Sequence, residues 1–411
     1  MSTPEFVIVG GGLAAGTAAV TLREEGYDGH LTLIVAEAHK PYIRPPLSKG
    51  YLAELDESEL WVQQDDWWRD HDVEVRTGQH ARTLNLRGRS VELEGGGSVP
   101  FDRLLIATGA TPKKLDVPGG DADGIHYLRT IEDSRGIREA TEDGEKKVVV
   151  VGSGWIGMEV AATVRGFGNE VTVVSHAKVP LSTALGDELG EVFAQLHLDH
   201  GVRLIRGAGV EGFGVSDGRV TSVRYDGGEV EADVVVVGTG IQPLVRIAQD
   251  AGLQTEKGIL VDAGMRTGVD GVFAVGDAAD PMHPVVGQRL RSEHWANAIG
   301  TGRTAALNML DRGVEYDDVP YFYTDQFDLG MEYSGYRPLM EDAHVVYRGD
   351  VPGREFVSFW VTPDGRVVAG MNVNVWDVNE DVQALIRAAR PVDESRLADP
   401  SVPLGDLVAG A

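Results

Sequence analysis

The chain has 411 residues, no cysteine, and a formal charge of −27 from 37 basic and 64 acidic side chains. Without a thiol there is no disulfide, no cysteine nucleophile and no cysteine-ligated iron–sulfur cluster within the chain, and the acid excess argues against nucleic acid or an anionic membrane as the main partner. The length suits two or three cored domains; with no basic leader and no run near the roughly 20 apolar residues of a membrane span, a soluble cytoplasmic protein is expected.

In chain order, the first signal is Phe6-Val-Ile-Val-Gly-Gly-Gly-Leu-Ala-Ala-Gly16, an apolar strand, a glycine turn and a helix opening that should end near Gly26. Gly10, Gly12 and Ala15 fit G-x-G-x-x-G/A, the turn that brings a dinucleotide pyrophosphate to a helix N-terminus. A second strand, Leu31–Val35, leads to Glu37, where a ribose-binding acid belongs. The stretch Pro41–Lys49 is too proline-rich for a strand or a helix interior, although Leu47–Leu52 can start a helix behind Pro46. It carries Arg44 and Lys49, which a bland loop does not need. Trp61, Trp67 and Trp68 within Leu60–His71 fall near helical spacing and read as core packing. Strands are expected at Val73–Thr77, Ala81–Asn85 and Ser90–Leu93, with a turn at Arg87-Gly88. Leu104–Pro112 reads as a buried strand that breaks at Thr108-Gly109.

A second glycine loop follows in Val148-Val-Val-Val-Gly-Ser-Gly-Trp-Ile-Gly-Met-Glu159, with Gly152, Gly154 and Gly157 in the full spacing. Its next strand, Glu170–Val174, runs into Ser175-His176-Ala-Lys178, where the first unit has its acid. Val234–Pro243 then echoes Leu104–Pro112, with Thr239-Gly240 and Pro243 placed as Thr108-Gly109 and Pro112 are. Two glycine loops, each closed by a strand ending in Thr-Gly-x-x-Pro, are an internal repeat, and so two dinucleotide-binding units. Gly258–Asp262 and Thr267–Asp277 bring a second carboxylate, Asp277, to the carboxyl end of an apolar strand. Ser292–Gly300 leads into a small-residue helix running to about Leu310. Past a boundary at Pro320, β-type runs at Ala343–Tyr347, Glu355–Val361 and Val367–Asn374, a helix at Asp381–Ala389 and a closing tail Pro391–Ala411 suggest a small mixed domain.

Taken together, these residues resemble the FAD-dependent pyridine-nucleotide reductases of the ferredoxin (putidaredoxin, rubredoxin) reductase type, with the apoptosis-inducing-factor-like proteins as a neighbouring branch. The marks are Gly10–Gly16, Pro41–Lys49, Ala107-Thr-Gly109, Gly152–Glu159, Gly238–Pro243, Phe273–Asp277 and Glu293–Asn297. The resemblance implies an α/β fold with two Rossmann-like domains and a C-terminal α/β domain. Residues 1–115 with 244–319 would hold FAD, 116–243 NADH or NADPH, and 320–411 would cover the flavin and help receive the electron partner. By position, Ala15, Glu37, Lys49, Ala81, Arg129, Asp277 and Trp295 match the family's flavin contacts, and Arg44, Thr108 and Gly109 are further candidates for binding a cofactor. Gly152, Gly154, Gly157 and Glu159 match the nicotinamide side, where Gly240, Ser175, His176 and Lys178 are also expected. In the family Lys49 and Glu159 meet near flavin N5, a fixed cation suiting an anionic reduced ring.

Two positions depart from the family pattern. Phe322-Tyr-Thr-Asp325 stands where the family often has aromatic-Trp-Ser-Asp, and Ser175 stands where users of NADH carry an acid. The thiol-active cousins are excluded, since no redox cysteine pair exists. The expected activity is electron transfer from NAD(P)H through FAD to a one-electron protein acceptor, a ferredoxin-like iron–sulfur protein, by a monomer or homodimer without a bound metal. Arg289, Arg291 and Arg303, around Trp295, are the candidate docking patch. An NAD(P)H oxidase or quinone reductase, and a redox-sensing interaction protein, stay open as alternatives.

Overall fold

The computed structural model describes residues 4–409, so positions 410 and 411 of the expected tail lie outside the described residues. The first sheet is parallel, with strands in the order Val272–Ala274, Arg103–Ile106, Glu5–Val9, His30–Val35 and Val73–Thr77. The second repeats that plan: Ile125–Tyr127, Val234–Val237, Lys147–Val151, Glu170–Ser175 and Arg203–Arg206, again parallel. Helices cover these sheets, which is why Val7, Ile8, Leu33 and Leu104, like Val148 and Val150, read as continuous apolar runs and are fully buried. Each such side chain contributes about 1.5–3 kcal/mol by leaving water.

The repeat extends further than the two glycine loops. In each unit a three-stranded antiparallel meander lies between the third strand and the Thr-Gly strand: Ala81–Asn85, Ser90–Leu93 and Ser98–Pro100 in one, Val210–Ser216, Arg219–Tyr225 and Gly228–Glu231 in the other. The two Thr-Gly-x-x-Pro ends pair with each other. Ala110–Pro112 runs antiparallel to Ile241–Pro243, so the chain enters and leaves the inserted unit through one two-stranded ribbon.

The C-terminal sheet is antiparallel, in the order Tyr321–Gln326, Leu329–Gly335, Val367–Val373, Glu355–Val361 and His344–Asp350, with the helix Asn379–Ala388 packed on it. Its first two strands escape the sequence reading because Phe322–Gln326 and Leu329–Tyr333 mix polar and apolar residues without a strong alternation. The supposed closing tail also needs correcting. It forms the helices Glu394–Ala398 and Leu404–Ala409, whose Leu397, Leu404 and Leu407 are buried in the same core as Val382 and Leu385. The tryptophan segment is likewise less helical than its spacing suggests. Only Asp65–Asp70 is helix, Trp68 is buried, and Trp61 lies outside the helix opposite Tyr42 in an isolated bridge.

Candidate dinucleotide and electron-transfer site

Both glycine loops have the same local geometry. Gly10 and Gly152 have φ of +137° and +107°, in the region that favours glycine. A Cβ on Gly10 would come within 2.1 Å of the Ala107 carbonyl, and one on Gly152 within 2.4 Å of the Gly238 carbonyl. Gly157 is equally constrained, 2.2 Å from the Gly152 carbonyl, whereas Ala15 at the matching place is tolerated and buried. Gly12 and Gly154 differ from these. They cap the helices Leu13–Glu24 and Trp155–Gly166 in extended conformations, and a Cβ there would meet no protein atom within 4 Å. Glycine at these two places leaves open space before a helix N-terminus, where an anionic pyrophosphate fits.

Around the first loop the expected residues are tied together. A Cβ on Gly16 would lie 2.9 Å from Pro41 and Val62, so glycine lets the proline-rich stretch cross the first helix closely. Arg44 pairs with Glu37 at 2.7 Å and donates to the Arg129 carbonyl at 2.6 Å, while the Tyr42 hydroxyl donates to the other Glu37 oxygen. The carboxylate retains lone pairs for a ribose, but it is oriented by protein first. Arg129 pairs with Asp277 at 2.9 Å, and its guanidinium lies 3.2 Å from where a Gly109 Cβ would be. Burial and the neighbouring Arg44 charge lower the Arg129 pKa against the pull of Asp277. The Thr108 hydroxyl is committed to the Leu244 carbonyl at 2.7 Å, fastening the two stretches of the first unit. Ala81 opens the first strand of the meander, just beyond Gly78 and Gln79, whose amides donate to the carbonyls of Glu37 and Val35. Arg129 Nε and Asn297 Oδ1 are among the buried polar atoms that have no protein partner. Orphaned polar groups of this kind fit a bound ligand that supplies their partners.

Lys49 sits at the break between the short helices Pro45–Ser48 and Gly50–Glu54, with φ −129° and ψ −113°. From there its Nζ reaches Glu159 Oε2 at 3.0 Å, in the helix after the second glycine loop. Glu159 is also held by Ser48 Oγ at 2.5 Å and by Thr324 Oγ1 at 2.7 Å. Tyr323 lies under Lys49, 5.6 Å from Nζ to the ring centroid, and meets Trp295 edge-on at 6.4 Å. Phe322 stacks on His294 and packs edge-on to Trp155, and burial pushes His294 down to about 4. The Phe322–Asp325 departure is thus accounted for: threonine supplies the hydroxyl to Glu159, and tyrosine the ring beside Trp295. Ser48 and Thr324 escaped the sequence reading because Thr324 meets Glu159 across 165 residues, a distance no local spacing reveals.

At the end of the second unit's Glu170–Ser175 strand, Ser175 is buried and turned inward, bonded to Ser153 Oγ at 2.6 Å and accepting from the Ala177 amide. His176 and Lys178 are exposed. Gly240 has φ +103° and open space beside it. The candidate docking patch is largely used up by the fold. Arg289 donates to the Val261 and Asp280 carbonyls, and Arg291 to the Asp277 carbonyl and to Glu293. Arg303 alone of the three is exposed. Among the described residues no cluster suited to a metal ion occurs, and no helix is long and apolar enough to cross a membrane.

Comparison with known proteins agrees with this geometry. Residues 4–302 match the family described as pyridine nucleotide-disulphide oxidoreductase, and residues 321–408 match the reductase C-terminal family. The ferredoxin–NAD(+) reductase component of the anthranilate 1,2-dioxygenase system of Burkholderia cepacia is 35% identical, over 98% of this chain and 99% of that protein. Putidaredoxin reductase of Pseudomonas putida is 32% identical, over 98% of this chain and 97% of its own length. Among solved structures, the covalent putidaredoxin reductase–putidaredoxin complex superposes with a TM-score of 0.94 at 32% identity, covering 100% of this chain and 99% of that one. A ferredoxin reductase from Rhodopseudomonas palustris gives 0.93 at 33% identity, covering 99% and 100%. The chain therefore belongs to the pyridine nucleotide-disulphide oxidoreductase family, among its ferredoxin reductases, and is an oxidoreductase that works with FAD and a nicotinamide dinucleotide.

Proposed function

We propose that the protein takes electrons from NAD(P)H and delivers them singly to a ferredoxin-like iron–sulfur protein in the cytoplasm, acting as a monomer or homodimer. FAD is assigned to residues 1–115 with 244–319, the nicotinamide nucleotide to 116–243, and the cover over the flavin to 320–411. Bound FAD supplies the two-to-one-electron conversion. The observation that carries the reading is the meeting of Lys49, Glu159 and Thr324, one from each of these three parts, at a single buried point. Glycine at 12 and 154 leaves room for two pyrophosphates, Arg129 and Asp277 are paired beside Gly109, and Lys49 presents a fixed cation where a reduced ring would carry charge. Because no cysteine is present, no internal disulfide can relay the electrons onward.

The test is cytochrome c reduction with and without added ferredoxins. The reading expects fast turnover only when an iron–sulfur protein is present. Fast peroxide formation or quinone reduction, with every ferredoxin adding nothing, would transfer the assignment to an oxidase or quinone reductase.

A further inference from the structure

Glu159 is the end of a buried chain of hydrogen bonds that continues well past Lys49. Thr324 Oγ1 donates to Glu159 Oε1 at 2.7 Å, Gln326 Nε2 donates to Thr324 Oγ1 at 3.2 Å, and Gln326 Oε1 meets His197 Nε2 at 2.9 Å. Glu159, Thr324, Gln326 and His197 are 4%, 1%, 1% and 0% exposed. Thr324 and Gln326 fall two apart on the strand Tyr321–Gln326 and so share a face. His197 comes from the helix Asp187–Asp199 of the inserted unit.

The direction of every bond follows from one end. A carboxylate only accepts, so the single Thr324 proton points to Glu159 and its oxygen is free to accept from the Gln326 amide nitrogen. That orients the amide, and its oxygen can only accept, which requires the Nε2–H form of His197. His197 Nδ1 is left without a partner. Burial holds the ring neutral by pushing it down to about 4. Three polar side chains in a dry interface cost stability unless they are bonded to one another; apolar residues of similar size would pack there more simply. Here each donor points toward Glu159, an arrangement in which successive bonds polarise one another.

We propose that Thr324, Gln326 and His197 are positioning residues, which fix the Glu159 carboxylate against Lys49 and so set the rate of hydride transfer to the flavin. The proposal rests on the reading that Lys49 and Glu159 act at that step. None of the three need touch a cofactor. They tie the helix after the nicotinamide glycine loop to the C-terminal sheet, so the carboxylate stays aimed across the junction.

The test is a cycle of Thr324→Val and Glu159→Gln, singly and together, with Thr324→Ser as the conservative variant, read by stopped-flow flavin reduction. Thr324→Val should keep its FAD and its apparent nucleotide affinity but lower the limiting reduction rate about tenfold, and Thr324→Ser should restore it. In the Glu159→Gln background, Thr324→Val should change the rate less than about twofold, because a residue acting through Glu159 has nothing left to position. If Thr324→Val folds poorly, Gln326→Met in the same cycle makes the comparison. A readout independent of turnover is the 15N spectrum of histidine-labelled holoprotein, which should show His197 protonated at Nε2 and lose that signature in Gln326→Met. Unchanged reduction in Thr324→Val, independent slowing by the two substitutions, or a proton on His197 Nδ1 would overturn the proposal alone. Unchanged reduction in Glu159→Gln would overturn the underlying reading together with it.

Discussion

Lys49 Nζ lies 3.0 Å from Glu159 Oε2, an ion pair joining residues 110 apart in sequence with only 14% and 4% of the two side chains exposed. A surface pair of this kind would contribute about 0–1 kcal/mol and could be lost without consequence. A buried one leaves an uncompensated charge when a single partner is removed, costing about 3–5 kcal/mol at the extreme. Ser48 and Thr324 soften that cost here by remaining bonded to the carboxylate. Lys49→Met is expected to slow flavin reduction by more than about tenfold, equivalent to about 1.4 kcal/mol of barrier. Stopped-flow rates equal to those of the parent in both Lys49→Met and Glu159→Gln would remove the pair from the chemistry.

The open space beside Gly12 and Gly154 separates the two nucleotide assignments. Alanine meets no protein atom at either place, and neither φ, −89° or −80°, requires glycine. Both variants should therefore fold; Gly154→Ala should melt close to the parent, and Gly12→Ala lower only by the stabilisation of the flavin it has lost. Gly12→Ala is expected to purify with less FAD, and Gly154→Ala to keep its FAD while its KM for the nicotinamide nucleotide rises severalfold. Flavin loss in Gly154→Ala instead would exchange the two assignments.

Coenzyme choice should be relaxed or tilted toward NADPH. An acid after the second strand binds the ribose 2′-hydroxyl and repels a 2′-phosphate. Ser175 does neither, since its hydroxyl is engaged with Ser153 and the Ala177 amide, while exposed His176 and Lys178 can approach a phosphate. Lys178→Glu should raise KM for NADPH more than for NADH. Strong selectivity of the parent for NADH in kcat/KM would mean that the missing acid is supplied from elsewhere.

Acid should destabilise the fold before its carboxylates titrate. His197 and His294 are held neutral, each pushed from the ordinary value of 6.5 down to about 4 by burial. With the folded pKa below the unfolded one, the stabilisation is complete above about pH 6.5 and is lost as pH falls toward 4. For His197 alone the full effect, reached only below the folded value, is on the order of 3 kcal/mol. Thermal unfolding of the holoprotein between pH 7 and pH 5 should show a falling midpoint, with a shallower fall in His197→Phe. An equal slope in that variant would assign the acid sensitivity to other groups.

The two nucleotide units were legible before folding, because each depends on a local pattern. An apolar strand, a glycine turn and a small-residue helix lie within a dozen residues, and the Thr-Gly-x-x-Pro echo made the repeat legible. The absence of cysteine settled as directly that no disulfide relays the electrons. Much of the C-terminal sheet was readable from the strong β-type runs at Glu355–Val361 and Val367–Val373, but the hairpin of Tyr321–Gln326 and Leu329–Gly335 was not. Its Thr324, Gln326 and Ser334 bond Glu159, His197 and Asn379, partners from distant parts of the chain. Folding alone brings Thr324 to Glu159, commits Arg289 and Arg291 to backbone carbonyls, and turns Ser175 inward. One cause underlies all three. A glycine turn is specified by the backbone conformation of its own residues, whereas the partner of a buried polar group is specified by whichever distant segment the packing brings within about 3 Å.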